Sequence, residues 1–142
     1  MRHLPISLAL ILTLIAAALP ARAESVLQKL LPQIAAADVV EGADGFGPIR
    51  PDAPVVPILK GGEQLGWAFV TSDFVGTTGY SGKPIHTMVA IDDTAHIIGV
   101  ELVKHSEPIV LIGIPNDKIK ALADAYVGLD LAAEAAGGTH DL

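Results

Sequence analysis

A chain of 142 residues with 14 glycines, 10 prolines and no cysteine is one domain at most, and 9 Lys and Arg against 16 Asp and Glu give it a formal charge of −7. Without cysteine it builds no disulfide, thiolate nucleophile, Cys-ligated zinc site or iron–sulfur centre. So acidic a chain also has no electrostatic footprint for nucleic acid or for an anionic membrane surface.

The first residues read as a secretory signal. Arg2 and His3 form a basic start, residues 8–19 an apolar run interrupted only by Thr13, and Ala21-Arg22-Ala23 a small-x-small cleavage site. The run is short against the roughly 20 apolar residues of a membrane span, so cleavage after Ala23 is expected, leaving residues 24–142 as the mature domain. Its loss of Arg2 and Arg22 and of no acid takes the formal charge to −9. No second segment has the length and hydropathy of a span, and no internal repeat is present.

Ser25 is placed to cap a helix whose Leu27, Leu30, Leu31 and Ile34 share one face, with Pro32 limiting it to two or three turns. Residues 38–54 carry Gly42, Gly45, Gly47, Pro48, Pro51 and Pro54. They are predicted to be irregular, with Val39, Val40 and Phe46 packing inward. Residues 55–60 and 64–71 read as strands joined at Gly61-Gly62-Glu63. In the second, Trp67 and Phe69 share a face opposite Gly66, Ala68 and Val70. The aromatic face is expected to be the core face, the alternative being a ring that stacks on a flavin or other ligand.

Residues 72–84 form a loop in which Thr77 and Thr78 are turn residues. Residues 85–91 and 97–104 then pair antiparallel about the turn Asp92-Asp93-Thr94-Ala95. With Ile85 opposite Leu102, this hairpin brings residues 79–84 beside residues 105–108, so two loops distant in sequence become one site. Gly79, Ser81 and Gly82 permit close backbone approach, Tyr80 supplies a flat ring, and His105 and Glu107 supply polar handles. Beyond Pro108, which breaks the strand, Ile109, Val110, Leu111 and Ile112 supply an apolar wall. Pro115-Asn116 opens an amphipathic helix with Ile119, Leu122, Ala123 and Tyr126 on one face and Gly128 near its end. Its first N–H groups are placed to face an anion held by the preceding loop. Residues 129–142 are expected to give a turn of helix and then loop. The fold class is α+β: a small antiparallel sheet of hairpins packed against two or three helices.

Gly79-Tyr80-Ser81-Gly82-Lys83-Pro84-Ile85, followed by Ile91-Asp92-Asp93, Ile98-Gly99-Val100 and His105-Ser106-Glu107-Pro108-Ile109-Val110-Leu111-Ile112-Gly113-Ile114-Pro115, resembles the exported N-terminal FMN-binding domain of the NosR/NirI proteins of denitrification. More distantly it resembles the flavin subunits of Rnf- and Nqr-type complexes. The resemblance implies a flavoprotein domain outside the cytoplasmic membrane, in the periplasm. Such a domain passes electrons to a redox partner protein, supports nitrous-oxide reductase expression or maturation, and is no stand-alone catalyst. It implies FMN lined by Gly79, Tyr80, Ser81, Gly82, His105, Glu107, Pro108, Ile109 and Leu111. The family ties FMN to the threonine of Ser-Gly-Ala-Thr, a motif absent from this sequence; Gly138-Thr139-His140-Asp141-Leu142 looks like its approach. The chain is thus expected to be either a truncated member or a scaffold that has lost the anchor. Membrane attachment would come only through downstream sequence or a partner.

On chemistry alone, backbone N–H groups at Gly79 and Gly82 are placed for a flavin's polar edge or phosphate, with Lys83 for its charge. Two rival readings stay open. His105 and Glu107 at a strand end can simply fasten a loop, leaving a cofactor-free interaction domain. Alternatively His86, His105 and Glu107, with Glu101, make an imidazole and carboxylate metal set. No Gly-x-Ser-x-Gly or paired acids beside a nucleophile argue for hydrolysis.

Overall fold

The computed structural model describes residues 23–108 and 113–135. The signal-like segment before residue 23 lies outside the described residues. So do Ile109 and Leu111 of the expected site, and Thr139.

Five strands, β1 (Gly45–Phe46), β2 (Val55–Lys60), β3 (Glu63–Val70), β4 (His86–Ile91) and β5 (Ile97–Lys104), form one antiparallel sheet in sequence order. Helices α1 (Val26–Leu30) and α2 (Ala36–Val39) precede them, and α3 (Asn116–Asp124) and α4 (Leu131–Ala135) follow. The expected α+β sheet of hairpins is what the chain forms. Gly61 and Gly62 take φ of 58° and 83°, the left-handed pair that a tight β2–β3 hairpin needs.

Ser25 caps α1 as expected, its Oγ accepting from the Gln28 N–H at 3.1 Å, and Pro32 converts the chain to a single 3-10 turn, Leu31–Gln33. The second cap comes from far along the chain. The Asp73 carboxylate accepts from the N–H groups of Val26 (2.7 Å) and Leu27 (2.8 Å), one to each oxygen, so two donors with no intrahelical partner meet a negative charge. The stretch from residue 38 is more regular than its glycines and prolines predict. α2 runs into it, and β1 pairs with β2 through Gly45 opposite Leu59 and Phe46 opposite Ile58. Val39, Val40 and Ala43 are buried there, and that burial overrides weak local propensity.

The core lies between the helices and one sheet face, where Val56, Ile58, Ala68, Val70, Met88 and Ala90 are fully buried with Leu27 and Val39. Trp67 and Phe69 are therefore not the core pair. They stand half-buried on the opposite face, Trp67 under the Arg50 guanidinium (5.4 Å) and Phe69 edge-to-face with Phe74 (5.4 Å). The face that meets the helices carries a glycine where α2 rests on the sheet backbone to backbone. A Cβ on Gly99 would overlap the Val39 carbonyl oxygen.

β4 and β5 pair antiparallel about the turn as expected, but in another register: Ile91 lies opposite Ile97, and Thr87, not Ile85, opposite Leu102. The register slips between Ala90 and Ile91 and again between His86 and Thr87, each slip placing one extra residue on β5. The far end therefore pairs His86 with Lys104. Early β5, an edge strand, is closed by the chain after α3: the Gly128 N–H donates to the Ile97 carbonyl (2.7 Å) and the Ile97 N–H to the Leu129 carbonyl (3.0 Å). α3 packs along β5 with Ile119 and Ala123 half-buried. Leu122, expected on the same face, is 67% exposed. No helix among the described residues is long and apolar enough to cross a membrane.

Candidate functional site

The loop between Thr77 and Ile85 is a small hairpin of its own. The Ile85 N–H donates to the Thr77 carbonyl (3.2 Å), the Thr77 hydroxyl to the Ile85 carbonyl (2.9 Å), and Thr78 bridges Pro84. Thr77 and Thr78 are thus turn-forming residues, as expected. At the tip the Gly79 N–H donates to the Lys83 carbonyl and the Gly82 N–H to the Gly79 carbonyl, both at 3.0 Å, with Gly82 at φ 72°. These two N–H groups, read from the sequence as donors to a ligand, are spent inside the loop.

The donors left to the site belong to Ser81. Its hydroxyl donates to Glu107 Oε1 at 2.8 Å, and its N–H points at the same oxygen at 3.4 Å. Gly79 leaves room for that carboxylate, which a Cβ there would displace. The Glu107 N–H in turn donates to His105 Nδ1 at 3.3 Å, so the neutral imidazole carries its proton on Nε2. The two loops do therefore meet at one end of the sheet. The meeting survives the double slip along β5, which pairs His86 with Lys104 and sets residues 105–107 just beyond that pair. Tyr80 stands 94% exposed at this end, covering nothing, and Pro108 is exposed.

His105 also lines a cleft of about 260 Å³ between β5 and α3, together with Glu101, Leu102, Asn116, Ile119, Lys120 and Ala123. The start of α3 is thus beside His105, as the sequence suggested. Burial, and then repulsion from Asp38, raises the Glu101 carboxyl above the ordinary glutamate range, with Lys120 drawing it partly back.

His86 is turned to another task. Its Nδ1 is 2.6 Å from the Ser72 hydroxyl, in the 3-10 turn that carries Asp73. Among the described residues no three His, Asp or Glu side chains converge to hold a metal ion, which removes support from the metal set of His86, His105 and Glu107 with Glu101. Asp92 is a turn residue, its Oδ1 accepting from Thr94 N–H (2.9 Å), Thr94 hydroxyl (2.8 Å) and His96 N–H (2.9 Å).

Sequence reasoning missed a second concavity. A groove of about 560 Å³ runs along the start of α1 and the 49–54 loop, lined by Glu24, Ser25, Gln28, Arg50 and Asp73 among others. Its only sequence signal is a lone arginine among prolines.

Comparison with known proteins gives three relatives. The chain is 38% identical over 136 residues to Protein NirI of Paracoccus denitrificans, an alignment covering 92% of this chain and 19% of that protein. It is 37% identical over 99 residues to Regulatory protein NosR of Pseudomonas aeruginosa, covering 70% of this chain and 14% of the relative. It is 34% identical over 120 residues to Regulatory protein NosR of Stutzerimonas stutzeri, covering 84% of this chain and 16% of the relative. No family model matches the sequence, and no solved structure matches the fold. The chain spans about a fifth or less of the length of these curated relatives. With the Gly-Tyr-Ser-Gly loop and the His-x-Glu-Pro segment joined at one end of its sheet, it belongs to the NosR/NirI family.

Proposed function

We propose that this chain is an exported FMN-binding domain with an electron-transfer and regulatory role, supporting the expression or maturation of nitrous-oxide reductase in denitrification. It works in the periplasm, beside a redox partner there or at the membrane. The observation that supports the reading is the Ser81–Glu107 bond, which unites the two segments carrying the resemblance. In this reading the Ser81 donors take the polar part of FMN, with His105 beside them, and Tyr80 is free to cover the ring. The bound group would supply one- and two-electron redox chemistry. The chain's own residues would bind and orient it and set the charge around it. Residues 1–142 contain no Ser-Gly-Ala-Thr, so these residues by themselves hold FMN without a covalent bond.

Tyr80, Phe74 and Val75 all stand exposed on the loops following β3. That favours, as a second reading, a cofactor-free interaction domain in which these side chains meet a protein. One experiment separates the two. Purified protein is mixed with FMN and, separately, with FAD as activated FMN donor and its flavin-transferring enzyme, desalted, and split into native and acid-precipitated samples. The flavin reading expects yellow native protein and a pellet that does not fluoresce under ultraviolet light. Colourless native protein would favour the interaction domain. Fluorescence in the pellet, mapped by peptide mass to Thr139 or another threonine, would overturn the non-covalent reading.

A further inference from the structure

Ser81 presents the donors of an oxyanion seat, and the group in that seat is the chain's own. Its hydroxyl accepts from the Lys83 N–H at 3.3 Å, which leaves the hydroxyl proton for Glu107. The Ser81 N–H points at the same carboxylate oxygen. The bare α-carbon of Gly79 lets that oxygen lie against the loop. A hydroxyl, an N–H and an unobstructed α-carbon around one oxygen are what a phosphate oxygen also needs.

We propose that Glu107 is a displaceable internal anion: its carboxylate holds the 79–82 loop in shape and yields its place at Ser81 to the phosphate of an incoming ligand. The ligand class is a phosphate monoester, and the identification of that ester as FMN rests on the function proposed above. Glu107 is half-buried, so its side chain has water to swing into. Its position after β5 lets it leave without disturbing the loop's own bonds, because those run within residues 77–85. While it is in place, two negative groups would share one pair of donors, and the carboxylate competes with the ligand. Its removal therefore strengthens binding, the reverse of what a direct ligand contact does. The exposed Lys83 stands two residues along to receive the newcomer's charge.

The test uses inorganic phosphate as probe, so that it does not depend on flavin. Amide resonances of residues 79–82 are followed by NMR as phosphate is added to the wild-type protein, Glu107→Ala and Glu107→Gln. The glutamine variant keeps an acceptor for Ser81, and so the loop, while removing the charge. The Ser81 amide is expected to shift saturably in both variants at a phosphate concentration at least tenfold below that needed in wild type, and not to do so in Ser81→Ala/Glu107→Gln. Equal response in wild type and variants, or no response in any, overturns the proposal. FMN and riboflavin titrations form the second arm. Glu107→Gln is expected to favour FMN over riboflavin by at least tenfold more than wild type does, and FMN binding that weakens in that variant would make Glu107 a ligand contact and overturn the proposal. A phosphate response without flavin binding sustains the seat and removes the flavin reading. Flavin binding without a phosphate response does the opposite.

Discussion

Gly99 and Gly79 are both glycines pressed against a carbonyl or carboxylate oxygen, and they belong to opposite kinds of region. At Gly99 the neighbour is the backbone oxygen of Val39, so a helix is seated directly on the sheet. At Gly79 the neighbour is the end of a flexible side chain, that of Glu107. The first region, α1 and α2 over the core face of β2 to β5, carries the fully buried residues. The second, the 77–85 hairpin with the segment after β5, holds together through side-chain bonds and leaves Tyr80 in water. A packed half thus supports a half free to meet another molecule, the usual division between scaffold and working loops.

Substituting the two glycines breaks the comparison open. Gly99→Ala forces α2 away from the sheet and is expected to cost about 3 kcal/mol of unfolding free energy, at the upper end for overpacking a core, measured by chemical denaturation. A loss near zero would mean α2 is not seated as described. Next in size is Asp73→Ala, which strips both acceptors from the start of α1. A loss of about 2 kcal/mol is expected, high for a cap because two charge-assisted bonds go together. Gly79→Ala displaces the Glu107 carboxylate and crowds the tip of Ile85, both ends of side chains, and should cost at most about 1 kcal/mol globally. Its readout is local: faster proteolysis within residues 77–85, with the midpoint of global unfolding nearly unchanged.

Much of the packed half was legible because its signals are local. Gly61-Gly62 between β-branched runs marks one hairpin, and Asp92 with its turn marks the other. Ser25 ahead of spaced leucines marks α1. What was not legible depends on pairs remote in sequence. Period two separates Trp67 and Phe69 from Gly66, Ala68 and Val70 but does not say which set faces the helices. The answer lies in how closely α2 approaches Gly99. The slips along β5 have no composition signal, although the meeting of the two loops tolerates them. Asp73 as the cap of a helix almost fifty residues earlier is invisible without the fold.

The smallest effects come from two carboxylates, and pH separates them by sign. Asp92 sits in the β4–β5 turn, where the His96 N–H first, and then the Thr94 hydroxyl, hold its carboxyl below the ordinary aspartate range. A depressed group stabilises the fold above its unfolded range, and that stability is lost as pH falls through the lowered value. Asp92→Asn should therefore be less stable than wild type at neutral pH and equal to it in strong acid. Glu101, in the cleft beneath α3, is shifted the other way, by burial first and by Asp38 second. The fold favours its protonated form, so the stability it contributes is present below the ordinary glutamate range and lost as pH rises through the raised value. Glu101→Gln imitates the protonated acid at every pH. It should match wild type in acid and exceed it at neutral pH, the gap opening as the wild-type carboxyl ionises. Thermal unfolding of both variants against wild type across the acid range checks this. If Glu101→Gln instead matched wild type in acid and fell below it as pH rose to neutral, Glu101 would be held ionised by Lys120, and the cleft would be an ion-pair site in place of a desolvated carboxyl.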